Sequence, residues 1–266
     1  MNSETRPRLA ASSYLNTAPL IWSFKYGARK DEVKLVEALP SSCADLVARG
    51  EVDFALVPVI EYQRIAGARL VPGVCVGSRE KVRSVVLVSR LNNLKKVRTV
   101  ALDESSRTSA ALVKIIFKEF LGFEPKWTTR SPDLKQMLRD NDAALIIGDP
   151  AMTFARDSLR VWDMAALWHD FTGAGFVFAM WMAGPNSSLA GQTVDFVQAA
   201  REGLLQRNEI IDHYEKRLGL SRTELEAYLT ENITFLLDDD LREGLELYYE
   251  LAHKHDLIPE LKPLNL

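Results

Sequence analysis

One stretch of the chain, TVALDESSRTSAALVKIIF at 99–117, restricts the possible folds more than any other. Val100 to Leu102 form a short apolar run that predicts a buried strand, and apolar residues from Ala110 to Phe117 recur at helical spacing. A polar turn joins the two elements. The stretch therefore predicts a strand that passes directly into an amphipathic helix, with hydroxyl-bearing residues where the helix begins.

The polar turn consists of Ser105, Ser106, Arg107, Thr108 and Ser109. A helix that begins at or near Thr108 leaves backbone N–H groups without intrahelical partners, and its dipole places partial positive charge at the same end. With hydroxyl donors and Arg107 as a bidentate partner, the turn can hold a carboxylate or a phosphate. The simpler and more common arrangement is that one serine or threonine only caps the helix.

Composition and charge exclude several classes of function. The 266 residues carry a formal net charge of -3 and no Lys/Arg block with interleaved aromatic residues, so nucleic acid is not an expected partner. Cys43 and Cys75 lack metal-ligand spacing, which predicts two reduced, buried thiols and no metal. No apolar run is long enough to span a membrane, and the first twenty residues lack the core of a secretory signal. We therefore expect a cytoplasmic protein without membrane contact.

The first part of the chain alternates strands and helices. Apolar runs at 8–15, 33–38 and 54–59 predict strands, and each is followed by a helical pattern. Right-handed crossovers make such strands parallel and bring the following loops to one edge of the sheet, where open α/β sheets bind ligands.

Polar residues at three of the helix starts are candidate caps. Asn16 precedes a helix with Pro19 near its start, Ser41 or Ser42 precedes the next helix, and Ser131 precedes a later one. Asn16 also follows a strand at the ligand-binding edge, so a contact with a ligand is an alternative role.

The middle of the chain predicts a boundary between domains. Runs at 70–76 and 82–89 predict two adjacent strands. For Ser84, within the second run, a solvent-facing position is favoured over a hydroxyl directed into a cleft. Residues 90–97 are polar and turn-rich, as expected where the chain leaves one domain for another.

The next segment repeats the plan of the first. Strands are predicted at 99–102 and 125–129 and in AALIIGDPA, which ends at Gly148 and Asp149. The run TGAGFVFAMWMAG predicts a buried strand too short to cross a membrane. Long amphipathic helices are then predicted at about 190–217, 221–230 and 238–254.

This order of elements predicts two α/β lobes, the second inserted into the first. Residues 1–90 and 181–266 are assigned to lobe I and 91–180 to lobe II, with hinge crossings near 88–93 and 174–183. A ligand would bind in the cleft between the lobes. The polar residues expected at this edge are Asn16, Ser42, Ser84, Asp149 and the Ser105–Ser109 turn.

No motif for nucleotide, hydrolase or zinc chemistry is present. The chain lacks Walker A, GxGxxG, GxSxG and HExxH sequences. His253 and His255 are two residues apart on a predicted helix and cannot share a face as ligands. His169 is interpreted as a surface or satisfied buried histidine.

Six segments, in order, carry a family resemblance: SYLNTAPL, PSSCADLVARGEVDFALVPVIEY, VRSVVLVS, ALDESSRTSAALVKI, AALIIGDPA and WHDFTGAGFVFAMW. Together they resemble the chorismate dehydratase family of the futalosine route to menaquinone, from about residue 9 to 183. The resemblance implies a two-lobed α/β fold of the type II periplasmic-binding-protein kind, with mixed sheets flanked by helices and a ligand cleft between the lobes. It also implies a hydro-lyase without a cofactor, which converts chorismate into 3-[(1-carboxyvinyl)oxy]benzoate and water.

Chorismate is a small dianion with a ring hydroxyl, so its cleft needs two carboxylate sites. The Ser105–Ser109 turn with Arg107 is the candidate for one site, and Ser42 or Ser84 for the other. Ser13 and Gly148 are further candidate substrate contacts. We expect a monomer or a homodimer.

The family motif carries Asn16 over as a ring-facing residue, whose amide can orient the departing hydroxyl or stabilise developing charge. Asp149 is a candidate general base, because burial beside the cleft raises the pKa of a carboxyl. Capping of the helix after Pro150 is at least as good an interpretation of Asp149. A carboxylate of the substrate is the third candidate for proton acceptor.

Two other functions fit the same pattern. The related 1,4-dihydroxy-6-naphthoate synthase shares the fold, but a histidine near the end of the AALIIGDPA strand would favour it, and Gly148 and Asp149 stand there. A cytoplasmic anion-binding or sensor protein of this fold would close on its ligand without chemistry.

Overall fold

The computed structural model describes residues 6–156, 158–185, 187 and 194–266, and within them the strands form two sheets flanked by helices. The larger sheet contains seven of the described strands: β1 (Arg8–Ala11), β2 (Lys34–Glu37), β3 (Phe54–Pro58), β4 (Arg69–Leu70), β5 (Val74–Ser78), β11 (Phe176–Ala183) and β12 (Thr234–Leu236). The smaller sheet contains five: β6 (Val85–Ser89), β7 (Thr99–Asp103), β8 (Lys126–Arg130), β9 (Ala143–Ile147) and β10 (Arg160–Asp163).

Each sheet combines parallel and antiparallel neighbours. The larger sheet has the order β12-β5-β11-β3-β1-β2, with β4 beside β11, and the smaller sheet has the order β10-β6-β9-β7-β8. Strand β1 is parallel to β2 and β3, and β7 is parallel to β8 and β9, as the predicted crossovers require. Strands β11 and β6 run antiparallel to β3 and β9. The predicted mixed α/β class is confirmed.

Helices connect the strands and cover the sheets. Their bounds are α1 (Ala18–Lys25), α2 (Pro40–Ala48), α3 (Glu61–Arg64), α4 (Arg107–Ile115), α5 (Leu134–Asp140), α6 (Asp149–Thr153), α7 (Met164–Thr172), α8 (Phe196–Leu205), α9 (Arg207–Leu218), α10 (Arg222–Ala227) and α11 (Asp239–Lys254). Short 3-10 turns cover Leu15–Thr17 and Leu94–Lys96, and π-helical turns cover Ile116–Phe120 and Tyr228–Asn232. In the described part of the chain, no helix has the length and apolar character needed to cross a bilayer.

The long helix predicted at 190–217 is two helices, because α8 ends at Leu205 and α9 begins at Arg207. Its predicted start at 190 lies outside the described residues. The predicted helices at 221–230 and 238–254 are confirmed, the first ending in a π-helical turn.

The predicted boundary between the lobes is wrong for one strand in particular. Strand β6 pairs with β9 and β10, so it belongs to the smaller sheet and is not adjacent to β5. Residues 90–97 connect β6 to β7 within that sheet and do not join two domains. Residues 176–180, which were predicted to belong to lobe II, are part of β11 in the larger sheet. Strand β6 is buried along its whole length, and such a strand contains no pattern that says which sheet it joins.

We call the larger sheet and its helices lobe I, and the smaller sheet and its helices lobe II. The chain passes from β5 to β6 through 79–84 and returns to β11 after α7. Movement of the lobes about a hinge stays a prediction.

Three of the predicted helix caps are also wrong. Thr17, not Asn16, precedes α1, and Leu39 precedes α2, so neither Ser41 nor Ser42 is its cap. Helix α5 is capped by Asp133, whose carboxylate accepts the Gln136 N–H. Ser131 instead donates to Glu104, at 2.8 Å. Pro40 supplies no N–H at the start of α2, which reduces the need for a polar cap there.

The core extends through both lobes, and both cysteines are buried free thiols, as predicted. One close helix contact fixes the position of α1. A Cβ on Gly203 of α8 would lie 2.0 Å from the carbonyl oxygen of Pro19 in α1. The two helix backbones therefore touch at a point where no side chain fits.

Replacement of Gly203 by alanine should force α1 and α8 apart. We expect Gly203→Ala to lower the free energy of unfolding by about 3 kcal/mol, the upper part of the overpacking range. The control is Gly122→Ala, where φ is +77° but nothing lies within 4 Å of the new Cβ. Its backbone strain costs about 1 kcal/mol. Chemical denaturation measures the free energy of unfolding of both variants, and equal losses would contradict the proposed role of the contact.

Candidate active site

A small cavity with about 50 Å³ of accessible space lies between the two sheets. Eight of its sixteen lining residues are polar and eight are apolar, and both lobes contribute. The polar lining residues are Ser12, Tyr14, Asn16, Thr17, Ser105, Ser106, Thr108 and Ser109. The apolar lining residues are Pro40, Leu56, Pro58, Val76, Val85, Ile147, Phe178 and Ala179. Apolar walls with a small number of convergent polar groups are typical of ligand sites in proteins.

On the lobe I side, the segment after β1 folds into a tight polar loop. The Thr17 hydroxyl donates to the carbonyl oxygens of Ser12 and Tyr14, at 2.6 and 2.8 Å, which closes the loop. The 3-10 turn Leu15–Thr17 then presents Asn16 to the cavity. The side-chain oxygen of Asn16 is buried and has no hydrogen-bond partner among the described residues. An unpaired amide in a cavity wall is a candidate ligand contact.

On the lobe II side, the predicted turn begins α4 at Arg107, one residue before the predicted start. The Ser105 hydroxyl donates to Asp103 at 2.6 Å. Ser106 occupies the cap position but makes no side-chain capping bond, so the simpler interpretation of the turn is wrong for this residue. Ser109 also lines the cavity, and its hydroxyl makes no hydrogen bond to any described residue. The amino end of α4 therefore faces the cavity with hydroxyl groups and backbone N–H groups.

Among the described residues that line the cavity, none carries a charge. Arg107, the cation predicted to bind substrate, reaches across to lobe I instead. Its guanidinium contacts Asp45 at 2.7 Å and Glu61 at 2.9 Å, and Glu61 is also paired with Arg64. Arg107 therefore joins the two lobes beside the cavity and does not line it.

Asp149 lies at the first position of α6, behind the cavity wall. Its Oδ1 accepts the backbone N–H of Leu15 at 2.8 Å, a contact between lobe II and lobe I. Its Oδ2 is buried without a hydrogen-bond partner in the described residues and lies 3.8 Å from Arg217. The carboxylate makes no capping bond to the helix after Pro150, so that alternative is wrong.

Gly148 supports the Asn16 loop by packing. It has φ +67°, and a Cβ there would lie 2.7 Å from ring carbons of Tyr14. The glycine therefore lets the Tyr14 ring lie against the backbone that precedes Asp149. Gly148 itself does not line the cavity.

The remaining predicted substrate contacts lie outside the cavity lining. Ser84 is buried, not solvent-facing, and its hydroxyl accepts from Tyr228 at 2.6 Å. The carbonyl of Ser13 accepts from Tyr214 and Arg217, and Ser42 lies within α2. The structure thus brings together Asn16 and four members of the predicted turn, namely Ser105, Ser106, Thr108 and Ser109.

Sequence reasoning missed Tyr14, Ser12 and Thr17, although they flank Asn16 in the SYLNT segment. It also missed Asp103, which is buried directly behind Ser105. Burial raises the pKa of Tyr14, and the nearby charges of Asp103 and Asp149 raise it further. Asp103 ends β7, two residues before the turn begins, and this position could have predicted that its carboxyl lies near the turn.

Two buried carboxyl groups thus lie just behind a neutral cavity wall. Burial raises the pKa of Asp103, against the hydrogen bonds from Ser105. Burial also raises the pKa of Asp149, against the Leu15 N–H and the charge of Arg217. Within the described residues, no group of three His, Cys, Asp or Glu side chains is placed to hold a metal ion.

Comparison with known sequences gives a consistent result. Residues 7–254 match the protein family described as Menaquinone biosynthesis. The chorismate dehydratase of Thermus thermophilus is 29% identical over 263 residues, covering 91% of this chain and 93% of that protein. The chorismate dehydratase of Campylobacter jejuni is 28% identical over 225 residues, covering 83% of this chain and 86% of that protein.

Solved structures share the fold at low identity. A protein from Archaeoglobus fulgidus has a TM-score of 0.77 at 18% identity, covering 95% of this chain and 98% of its own. The alkanesulfonate-binding protein of Xanthomonas axonopodis pv. citri, bound to MOPS, has a TM-score of 0.67 at 15% identity. The match covers 97% of this chain and 96% of that protein. The predicted fold of the periplasmic-binding-protein kind is confirmed. Because the family match extends over nearly all of the sequence, this chain belongs to the Menaquinone biosynthesis family.

Proposed function

We propose that this protein is a chorismate dehydratase, which removes water from chorismate to give 3-[(1-carboxyvinyl)oxy]benzoate. The observation that carries the proposal is the cavity between the lobes, where the hydroxyl-rich amino end of α4 faces the unpaired amide of Asn16. Two curated relatives that match over most of their length are chorismate dehydratases. Together they support a lyase of the menaquinone route.

The cavity suits a small dianion bound by neutral groups. One substrate carboxylate accepts hydrogen bonds from the first turn of α4, where N–H groups, the helix dipole and the Ser106 and Ser109 hydroxyls act together. The apolar walls, including Leu56 and Phe178, contact the ring. The amide of Asn16 is then available to the ring hydroxyl on the lobe I side.

The proposed reaction needs positioning and one proton transfer. A base removes the hydrogen at C3 as a proton, the C–H electron pair forms the new ring double bond, and the C4–O bond breaks. The base passes the same proton to the departing hydroxyl, which leaves as water, and the ring becomes aromatic. The Asn16 Nδ2–H group stabilises the departing oxygen, and it cannot itself be the base. The candidate proton acceptors are Asp149 and a carboxylate of the substrate. Neither alternative needs a cofactor.

Cellular location and assembly belong to the same proposal. We assign the enzyme to the cytoplasm as a monomer or homodimer, because its relatives act in a biosynthetic route and one chain supplies lining residues from both lobes. Gel filtration with light scattering measures the assembly state.

The direct test is incubation of the purified protein with chorismate alone. We expect the diene absorbance of chorismate to fall and an aromatic product, lighter by one water, to appear in mass spectrometry. Pretreatment with a chelator is the control, and it should leave the rate unchanged. Unchanged chorismate that still raises the melting temperature would instead support an anion-binding or sensor protein. Turnover of the naphthoate synthase substrate would identify the related enzyme.

Asn16→Ala should damage turnover far more than folding. Loss of one preorganised donor lowers rates about 100-fold or more, and we expect a loss of kcat/KM of that size. The melting temperature should stay within about 3 °C, since that corresponds to about 1 kcal/mol in a chain of this size. The control is Asn93→Ala, which removes an amide outside the cavity that caps the turn at Leu94. Matched losses of turnover and stability would make Asn16 a structural residue.

Ser109→Ala tests the carboxylate site at α4. A hydrogen bond to a charged group contributes about 1.5–3 kcal/mol, so we expect KM to rise about 10-fold or more while kcat changes little. The control is Ser131→Ala, which removes a serine outside the cavity that bonds Glu104. A fall in kcat at unchanged KM would contradict a role in substrate binding.

A further inference from the structure

The carboxylate of Asp149 is bonded to the turn that carries Asn16, not to the cavity. Asp149 is 6% exposed, and its Oδ1 accepts the N–H of Leu15, the first residue of the 3-10 turn. Leu15 is fully buried. Its N–H is therefore a donor that water cannot reach, and a partner must come from the protein.

Other groups hold the same loop from the same side. Tyr214 donates its hydroxyl to the carbonyl of Ser13 at 2.8 Å, and the guanidinium of Arg217 donates there at 3.0 Å. Arg217 also lies 3.8 Å from the second oxygen of Asp149. The backbone on both sides of Tyr14 is thus fixed by side chains whose polar atoms point at the loop.

We propose that Asp149 is a positioning residue, which sets the orientation of Asn16 through the Leu15 N–H and does not accept the substrate proton. This inference rests on the proposed function of the cavity. Asp149 is not part of the cavity lining. One of its oxygens is already committed to Leu15, and the other lies on the side of Arg217. A general base needs an oxygen within hydrogen-bond reach of the proton it removes.

The two roles predict different results for the two simplest variants. Asp149→Asn keeps an oxygen that can accept the Leu15 N–H but cannot act as a base. Asp149→Ala has no side-chain oxygen, so it can neither accept the Leu15 N–H nor act as a base. For a positioning residue, we expect Asp149→Asn to stay within about threefold of the wild-type kcat and Asp149→Ala to lose about 30-fold, mainly in kcat rather than KM.

A double-variant cycle tests whether Asp149 acts through Asn16. In the Asn16→Ala background, Asp149→Ala should cost less than about threefold, because the group that it positions is already absent. The matched control is Asp142→Ala, which removes a carboxylate that accepts the N–H groups of Arg98 and Thr99 away from the cavity. It should lower stability without changing kcat.

Equal and large losses in Asp149→Asn and Asp149→Ala would overturn the proposal, as would independent effects of Asp149 and Asn16. If Asp149→Ala does not fold, the kcat of Asp149→Asn alone tests the proposal.

Amide hydrogen exchange at Leu15 gives a second readout that does not depend on turnover. It should be slow in the wild type and in Asp149→Asn but fast in Asp149→Ala, and fast exchange in the wild type would also overturn the proposal. A wild type that leaves chorismate unchanged would contradict only the proposed function.

Discussion

The amino end of α4 is the feature on which the rest of the site depends, because it supplies positive potential to a cavity for which the described lining residues include no cation. Arg107, at the first position of α4, is paired with Asp45 and Glu61. Asp103 and Asp149 add negative charge behind the wall when they are ionised. A dianion is therefore bound by oriented N–H and O–H groups, whose effect is strongest where water is excluded. Neutral donors also lower the basicity of a bound carboxylate less than a paired cation would. Such a site leaves a substrate carboxylate able to take up the proton.

Several contacts between the lobes lie close to the same donors. Thr108 of the α4 turn accepts the Ile60 N–H at 3.3 Å, Arg107 contacts Glu61, and Asp149 accepts the Leu15 N–H. Tyr228 reaches Ser84 at the passage from β5 to β6. These contacts surround the cavity and join residues carried by different sheets. Contacts between the lobes therefore help to place the polar groups of the cavity, which suits an elimination that needs geometry more than chemical assistance.

The sequence predicted the local elements well and their partners poorly. The strands β7 and β9 and the turn at Ser105–Ser109 follow from apolar periodicity and hydroxyl content, which are properties of neighbouring residues. The sheet that β6 joins depends on pairing with β9, which is about sixty residues away. The direction of Arg107 depends on two carboxylates in the other lobe, and no local pattern contains that information. Asn16 was predicted at the ligand-binding edge from its position after a strand, and the family resemblance added a role toward the ring. Tyr14, two residues earlier, carried no such signal.

Asp149 shows how a buried acid beside a cavity can be misread. Its raised pKa and its position after a strand are the features that usually mark a general base. Burial produces the same shift for a carboxyl that only holds a backbone N–H, so the shift alone does not identify the role. The direction of each oxygen does, because Oδ1 accepts the Leu15 N–H, Oδ2 lies on the side of Arg217, and Asp149 is not part of the cavity lining. A carboxylate of lobe II thus holds the turn of lobe I that carries Asn16, so the placement of this amide depends on a contact between the two lobes.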